Sequence, residues 1–137
     1  MQKQFFIYGA LSFPDIQSVL LGKKLTGKQA TLNGYDAVKF VIEDHLSYSP
    51  VLKEDEESDV EGILTSGINS DDLKLIQKYA GDKYTLKDVY VVADGEIECA
   101  TTFMPIWSKL ELGPHWDKDV FENRFLQEFA ETLTKSK

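Results

Sequence analysis

The sequence predicts an α+β domain built around a largely antiparallel β-sheet, and three observations carry that prediction. The aromatic run Phe5-Phe6-Ile7-Tyr8 stops at Gly9, as a buried strand stops at a turn. Two strand-like runs, 84–92 and 97–106, flank Asp94-Gly95, a pair preferred in two-residue hairpin turns. Elsewhere apolar residues recur at helical spacing, so two or three helices accompany the strands.

In chain order, Pro14 suits the first turn of a helix with Ile16, Val19 and Leu20 as its apolar stripe and Gly22 as its stop. Residues 28–42 have strand character, interrupted by the turn or bulge signal Asn33-Gly34. Residues 53–59 are acidic and are expected to form a solvated loop. Strand character returns over 60–64, where Gly62 marks a bulge or a close backbone approach. Asn69-Ser70-Asp71-Asp72 supplies the cap and first-turn acids of a helix carrying Leu73, Ile76 and Ala80 on one face, with Gly81 as its stop.

In the hairpin, pairing Ala93 with Glu96 sets Val92 opposite Ile97, Tyr90 opposite Cys99 and Leu86 opposite Phe103. That face is largely apolar and is expected to be the core side, which makes Cys99 a core residue rather than a nucleophile. Glu98 and Lys87 fall on the other face. Near the C-terminus Asp117 can cap a helix in which Phe121, Phe125, Phe129 and Leu133 recur every fourth residue. This stripe is expected to face the core, with a dimer interface as the other reading. The strand count and glycine-marked bends would let the sheet curl toward a barrel.

Composition bounds the function classes. The 137 residues show no repeat and no dividing linker, so one domain, 1–137, is expected. Hydrophobic residues make up 42% and aromatic residues 12%, enough apolar surface to exclude intrinsic disorder. A formal net charge of -8 argues against nucleic acid and anionic membranes as partners. With one cysteine, no intrachain disulfide can form. The N-terminus lacks the pattern of a signal peptide and no apolar run approaches the ~18 residues of a membrane span, so the expected compartment is the cytoplasm.

No C-x-x-C pair, phosphate-binding loop, nucleophile elbow or H-E-x-x-H motif occurs. His45 and His115 are far apart and are expected to be surface or packing residues rather than metal ligands or bases. No metal or cofactor is therefore expected. What remains is Tyr8-Gly9-Ala10-Leu11 with Pro14 following, a strand-to-helix loop bent at glycine. Such a loop can turn backbone N–H groups toward a carboxylate or a developing oxyanion, beside the positive end of a helix.

These residues also carry a resemblance. Phe6-Ile7-Tyr8-Gly9-Ala10-Leu11, Pro14 and Leu20-Leu21-Gly22 resemble the opening of the gamma-glutamylcyclotransferase-like family, whose signature is Tyr-Gly-x-Leu after the first strand. The likeness continues through Leu32-Asn33-Gly34-Tyr35, Tyr48-Ser49-Pro50-Val51, Val60-Glu61-Gly62-Ile63-Leu64 and Tyr79-Ala80-Gly81-Asp82-Lys83-Tyr84. The tail, Trp107 followed by Gly113-Pro114-His115-Trp116-Asp117 and the phenylalanine helix, is similar to the plant avirulence-induced subgroup.

The resemblance implies a mixed, mostly antiparallel β-barrel with a cavity at its mouth. It also implies a reaction in which the α-amine of a γ-glutamyl group attacks its own γ-carbonyl. A carbon–nitrogen bond closes the 5-oxoproline ring, the amide bond breaks and an amine leaves, with no metal or nucleotide. Ring closure is intramolecular, so much of the entropic barrier is already met. Tyr8, Gly9, Ala10 and Leu11 map onto the loop that holds the glutamyl head. An acidic side chain moves the ammonium proton to the leaving amine.

The family keeps that acid as a glutamate where this chain has Ala80, and a methyl group cannot carry a proton. The expected function is a pocket for a γ-glutamyl or similar small carboxylate ligand, weakly catalytic or inactive. The alternative is a non-catalytic protein-interaction domain with a protein partner. Glu61, on the strand before the helix, is the substitute acid to test. Glu98 is placed away from the apolar face by the hairpin register, and Asp82, beyond the turn, is expected to face solvent.

Overall fold

The strand β1 (Phe5–Ile7) is entirely apolar and buried on both faces, and the sheet is arranged around it. The computed structural model describes residues 4–42, 45–47, 49–80, 84–106 and 111–135. Its further strands are β2 (Lys28–Ile42), β3 (His45–Leu46), β4 (Val51–Thr65), β5 (Tyr84–Ala93), β6 (Glu96–Pro105) and β7 (Leu112–His115). Helices α1 (Pro14–Leu21) and α2 (Ser70–Ala80) lie between strands. A terminal helix, α3, runs as α-helix over Lys118–Val120, as a π-turn over Phe121–Phe125 and as α-helix again over Leu126–Lys135.

Strand order β2-β4-β1-β6-β5 closes on itself, because β5 pairs back onto β2 at Thr31 and Val92. Only β1 and β6 run parallel in this ring, so the barrel is mixed and mostly antiparallel. Among the described residues every strand of the ring has a partner on both sides, the general remedy for exposed strand backbones. The small strands β3 and β7 add to the far end of β2.

Alternation in β1 divides the core. Phe6 and Tyr8 point into the barrel with Leu32, Leu52, Val60, Leu64 and Val91. Phe5 and Ile7 point outward, under Leu20 of α1 and Ile76 of α2. From α3, Phe121, Phe129 and Leu133 are buried and Phe125 partly so, which places the phenylalanine stripe against the core as expected.

The local signals work as their chemistry dictates. Pro14 opens α1, and Gly22 closes it in the left-handed region at φ 73°. Asn69 and Asp72 cap α2 reciprocally: each backbone N–H donates to the other's side chain, at 2.9 and 3.1 Å. Asp117 Oδ1 accepts from the N–H groups of Asp119 and Val120 and so starts α3. Asn33-Gly34 is a bulge between β2 and β4, with Gly34 at φ 89°. Gly81, the expected stop of α2, lies outside the described residues.

Two expectations are corrected. Residues 53–59 are part of β4, not a separate loop. Asn33 pairs with Asp59 and Tyr35 with Glu54, so residues 55–58 are extra chain opposite Gly34. Asp55 folds that excess back on itself, accepting from Glu57 N–H and Ser58 Oγ, both at 3.0 Å. The polar side chains are solvated as expected, yet the flanking backbone stays paired.

The second correction concerns the hairpin. Its register is as read, from Ala93↔Glu96 to Leu86↔Phe103, but its faces are reversed. Val89, Val91, Ala93, Ala100, Thr102 and Met104 are buried, whereas Tyr90 and Ile97 are 73% and 74% exposed and Cys99 is exposed. A five-stranded barrel already holding Phe6, Tyr8, Leu32 and Leu52 leaves limited space on its last wall, which is filled by Val89, Val91, Met104 and small residues. Ala93 and Ala100 fit there; Tyr90 and Ile97 do not.

Gly62 sits on the inner face of β4, where an added Cβ would meet the Ile7 carbonyl oxygen and the Phe6 ring. Gly62→Ala is expected to destabilise by about 1–3 kcal/mol through overpacking. Ile97→Thr is expected to stay within about 0.5 kcal/mol. Urea unfolding of both variants checks the two values, and the order would reverse if Ile97 faced the core.

Candidate functional site

β1 hands the chain to the 8–11 loop at one end of the barrel. Because β6 runs parallel to β1, its last residues arrive at the same end, and Tyr84 starts β5 there opposite Pro105. α2 ends at Ala80, shortly before β5 begins. The fold thus gathers Tyr8, Gly9, Ala10, Leu11 and Tyr84 around one mouth. Glu61 reaches the same end, since β4 runs antiparallel to β1 with Ile63 opposite Ile7.

The loop is a 3₁₀ turn, Gly9–Ser12, held from several sides. Gly9 takes φ 69°, and a Cβ there would lie 2.6 Å from Pro50 Cδ and 2.9 Å from Ser49 Oγ. Only glycine fits, both for its dihedral angle and for this approach. Ala10 N–H donates to Ser49 Oγ at 3.1 Å, and Ser12 Oγ donates to the Gly9 carbonyl at 2.6 Å. The buried Gln17 amide donates to Leu11 O at 2.9 Å and accepts from Leu25 N–H at 2.8 Å. The Ala10 amide, expected to stand open to an anion, is thus occupied by a neutral hydroxyl from the segment before β4.

Phenols furnish the titratable groups around Tyr8. The Tyr8 hydroxyl donates to the Phe103 carbonyl at 2.8 Å. Burial first, and then the neighbouring Tyr84, hold its pKa well above the usual phenol range. Burial pushes Tyr84 up to about 12. Tyr79, next to Ala80, packs its ring edge-on against Phe129 with centroids 6.0 Å apart. At neutral pH Tyr8 and Tyr84 are neutral hydrogen-bonding groups and poor bases.

Of the three carboxylates considered in place of the family's glutamate, the two that are described, Glu61 and Glu98, do not lie among these groups. Glu61 is exposed, on the outer side of β4 between the buried Val60 and Gly62, so it turns away from the barrel interior. Glu98 does share the inner register of the hairpin, contrary to the expected assignment of faces. It lies at the opposite end of the barrel, where Lys28 Nζ stands 2.9 Å away. That hydrogen bond to Lys28 holds the Glu98 pKa below the usual range, with Gln4 adding to it. Asp82 lies outside the described residues.

His115 is exposed and pairs through Nδ1 with Asp36 Oδ1 at 2.7 Å, while His45 lies in β3. Among the described residues no three His, Cys, Asp or Glu side chains are grouped to hold a metal. Nor is any helix there long and apolar enough to cross a membrane. Clefts of about 500 and 410 Å³ lie along α3, and the 8–11 loop lines neither. Residue patterns did not single out Gln17 or Tyr84. A buried glutamine on the apolar side of α1 is the signal that could have found the first.

Ser49→Ala removes the acceptor of Ala10 N–H. It is expected to cost about 1–3 kcal/mol and to speed hydrogen exchange at Ala10, as measured by melting and by amide NMR. Alkaline titration tests the phenols. The unfolded chain releases its tyrosine protons near pH 10, before native Tyr84 does near 12. Native stability is therefore full below pH ~10 and falls as the pH rises from ~10 through ~12. A Tyr84→Phe variant is expected to lose less stability over that window.

No family model matches the sequence. AIG2-like protein A of Arabidopsis thaliana is 24% identical over 133 residues, covering 95% of this chain and 78% of that protein. AIG2-like protein C of the same plant is 26% identical over 133 residues, covering 95% and 74%. A solution structure of an Arabidopsis thaliana protein superposes with a TM-score of 0.68 at 24% identity, over 99% of this chain and 91% of that one. A gamma-glutamyl cyclotransferase structure superposes with a TM-score of 0.67 at 15% identity, over 97% and 86%. In sequence the chain is thus similar to AIG2-like proteins along most of its length, and its α+β barrel has the gamma-glutamylcyclotransferase-like fold.

Proposed function

We propose that the chain holds a γ-glutamyl group, or a similar small carboxylate ligand, at Tyr8, Gly9, Ala10 and Leu11, and turns it over weakly or not at all. The observation that supports this reading is a glycine-bent loop at the barrel mouth, fixed from several sides by Ser49, Pro50 and Gln17. A ligand carboxylate would replace Ser49 Oγ as the acceptor of Ala10 N–H. It would form the stronger bond, because an ionised acceptor binds an amide more tightly than a hydroxyl does. Turnover is weak or absent because no proton carrier stands there among the described residues: the phenols of Tyr8 and Tyr84 are held protonated, and Glu61 faces outward. A reducing, cytoplasmic setting belongs to the same proposal, since Cys99 is exposed as a free thiol.

Thermal melting with γ-glutamyl amines, together with assay of 5-oxoproline, tests the reading. The expected result is stabilisation rising with ligand concentration, about 2.7 kcal/mol at a hundredfold excess over Kd, with no product above buffer. An Ala80→Glu variant is expected to gain turnover, recovering part of the 10²–10⁴ that a general acid–base group typically supplies. Fast turnover by the unaltered protein would refute the inactive assignment, and the absence of any stabilisation would refute the ligand site.

One observation favours a second reading, a protein-interaction domain on the same fold. The outer face of the β5–β6 hairpin presents Leu86, Tyr90 and Ile97 at 37%, 73% and 74% exposure. Large apolar side chains exposed along one sheet face suit a protein partner.

A further inference from the structure

The cleft of about 410 Å³ opens between β2, β3 and β7 on one side and the start of α3 on the other. Its size falls in the range of small-molecule sites. Trp116 and Phe121 are buried side by side, with ring centroids 5.6 Å apart, and the partly buried Phe125 adds a third aromatic surface. Leu46, half exposed at 50%, borders the opening.

The charges around this floor are nearly all committed. Asp117 uses Oδ1 to cap α3, accepting from Asp119 and Val120 N–H at 2.9 and 3.1 Å. Asp36 holds His115 at 2.7 Å. The Ser47 hydroxyl accepts from Phe40 N–H at 3.0 Å and donates to Ser49 O at 2.7 Å. Lys39 differs: its ammonium stands 5.9 Å over the Phe125 ring, and among the described residues no carboxylate pairs with it. On a chain of net charge -8 this is a cation kept beside an aromatic floor.

We propose that the cleft binds a small carboxylate with a flat apolar body, the ring against Trp116 and Phe125 and the carboxylate on Lys39. Aromatic walls favour a planar group through offset or edge-on stacking. The ammonium beside Phe125 favours an anion by a charge-assisted hydrogen bond and repels a cation. None of these residues belongs to the 8–11 loop, so the site is separate from the one proposed for γ-glutamyl groups.

Titration of ¹⁵N-labelled protein with 3-phenylpropionate, 3-phenylpropylamine and 3-phenylpropanol tests this. The carboxylate is expected to shift the amides of Lys39, Trp116 and Phe125 and to bind at least tenfold more tightly than the amine. Lys39→Met is expected to abolish that preference while leaving the alcohol's affinity unchanged, and Phe125→Leu to weaken all three probes. Equal affinity for carboxylate and amine, unchanged carboxylate binding by Lys39→Met, or no shift up to the solubility limit would each overturn the proposal. Shifts centred on Gly9 and Ala10 would overturn it too, and would leave the γ-glutamyl reading standing.

Discussion

The structure depends on burying three consecutive residues, Phe5, Phe6 and Ile7, at 2%, 0% and 1% exposure. A strand this apolar needs cover on both faces and pairing along both edges, or it becomes a site of aggregation. The barrel supplies one face and the helices α1 and α2 the other, while β4 and β6 pair the edges. Gly62 follows from the same demand, since the inner face of β4 must leave space for Phe6.

This central strand also fixes the mouth. Its parallel neighbour β6 and the start of β5 must finish where β1 finishes, so Tyr8, Gly9 and Tyr84 are brought together by strand direction alone. The 8–11 loop is then locked by Ser49, Pro50 and Gln17, none of which is adjacent to it in the chain. Such a loop is preorganised: its dihedral angles are set before any ligand arrives, which lowers the ordering cost of binding. The Ala10 amide of this loop is filled by Ser49 Oγ, and among the described residues its surroundings offer the phenols of Tyr8 and Tyr84.

Residues 53–59 and the β5–β6 hairpin show why sequence patterns mislead in particular places. Composition reports that a side chain prefers water, and residues 53–59 do face water. It does not report whether the backbone beneath is paired, and the partner strand β2 keeps Lys53, Glu54 and Asp59 paired around the extra residues 55–58. In the hairpin both faces are apolar enough to be core. Alternation identified the two sets correctly but could not rank them, because the ranking depends on space left by Phe6, Tyr8 and Leu32 from other strands.

The sequence by itself determined most of the element types, the helix starts marked by Pro14, Asn69 and Asp117, the hairpin register and the core stripe of the terminal helix. Each rests on neighbours within a few residues, where dihedral preference and side-chain periodicity act directly. The family resemblance read from it maps Ala80 onto the position of the family's acid. Only the tertiary structure decided which hairpin face is buried and that Glu61 faces outward. It alone closed Ser49 over the Ala10 amide and gathered Lys39, Trp116 and Phe125 around one cleft. Those outcomes come from packing and pairing between distant segments, and local sequence carries no record of them.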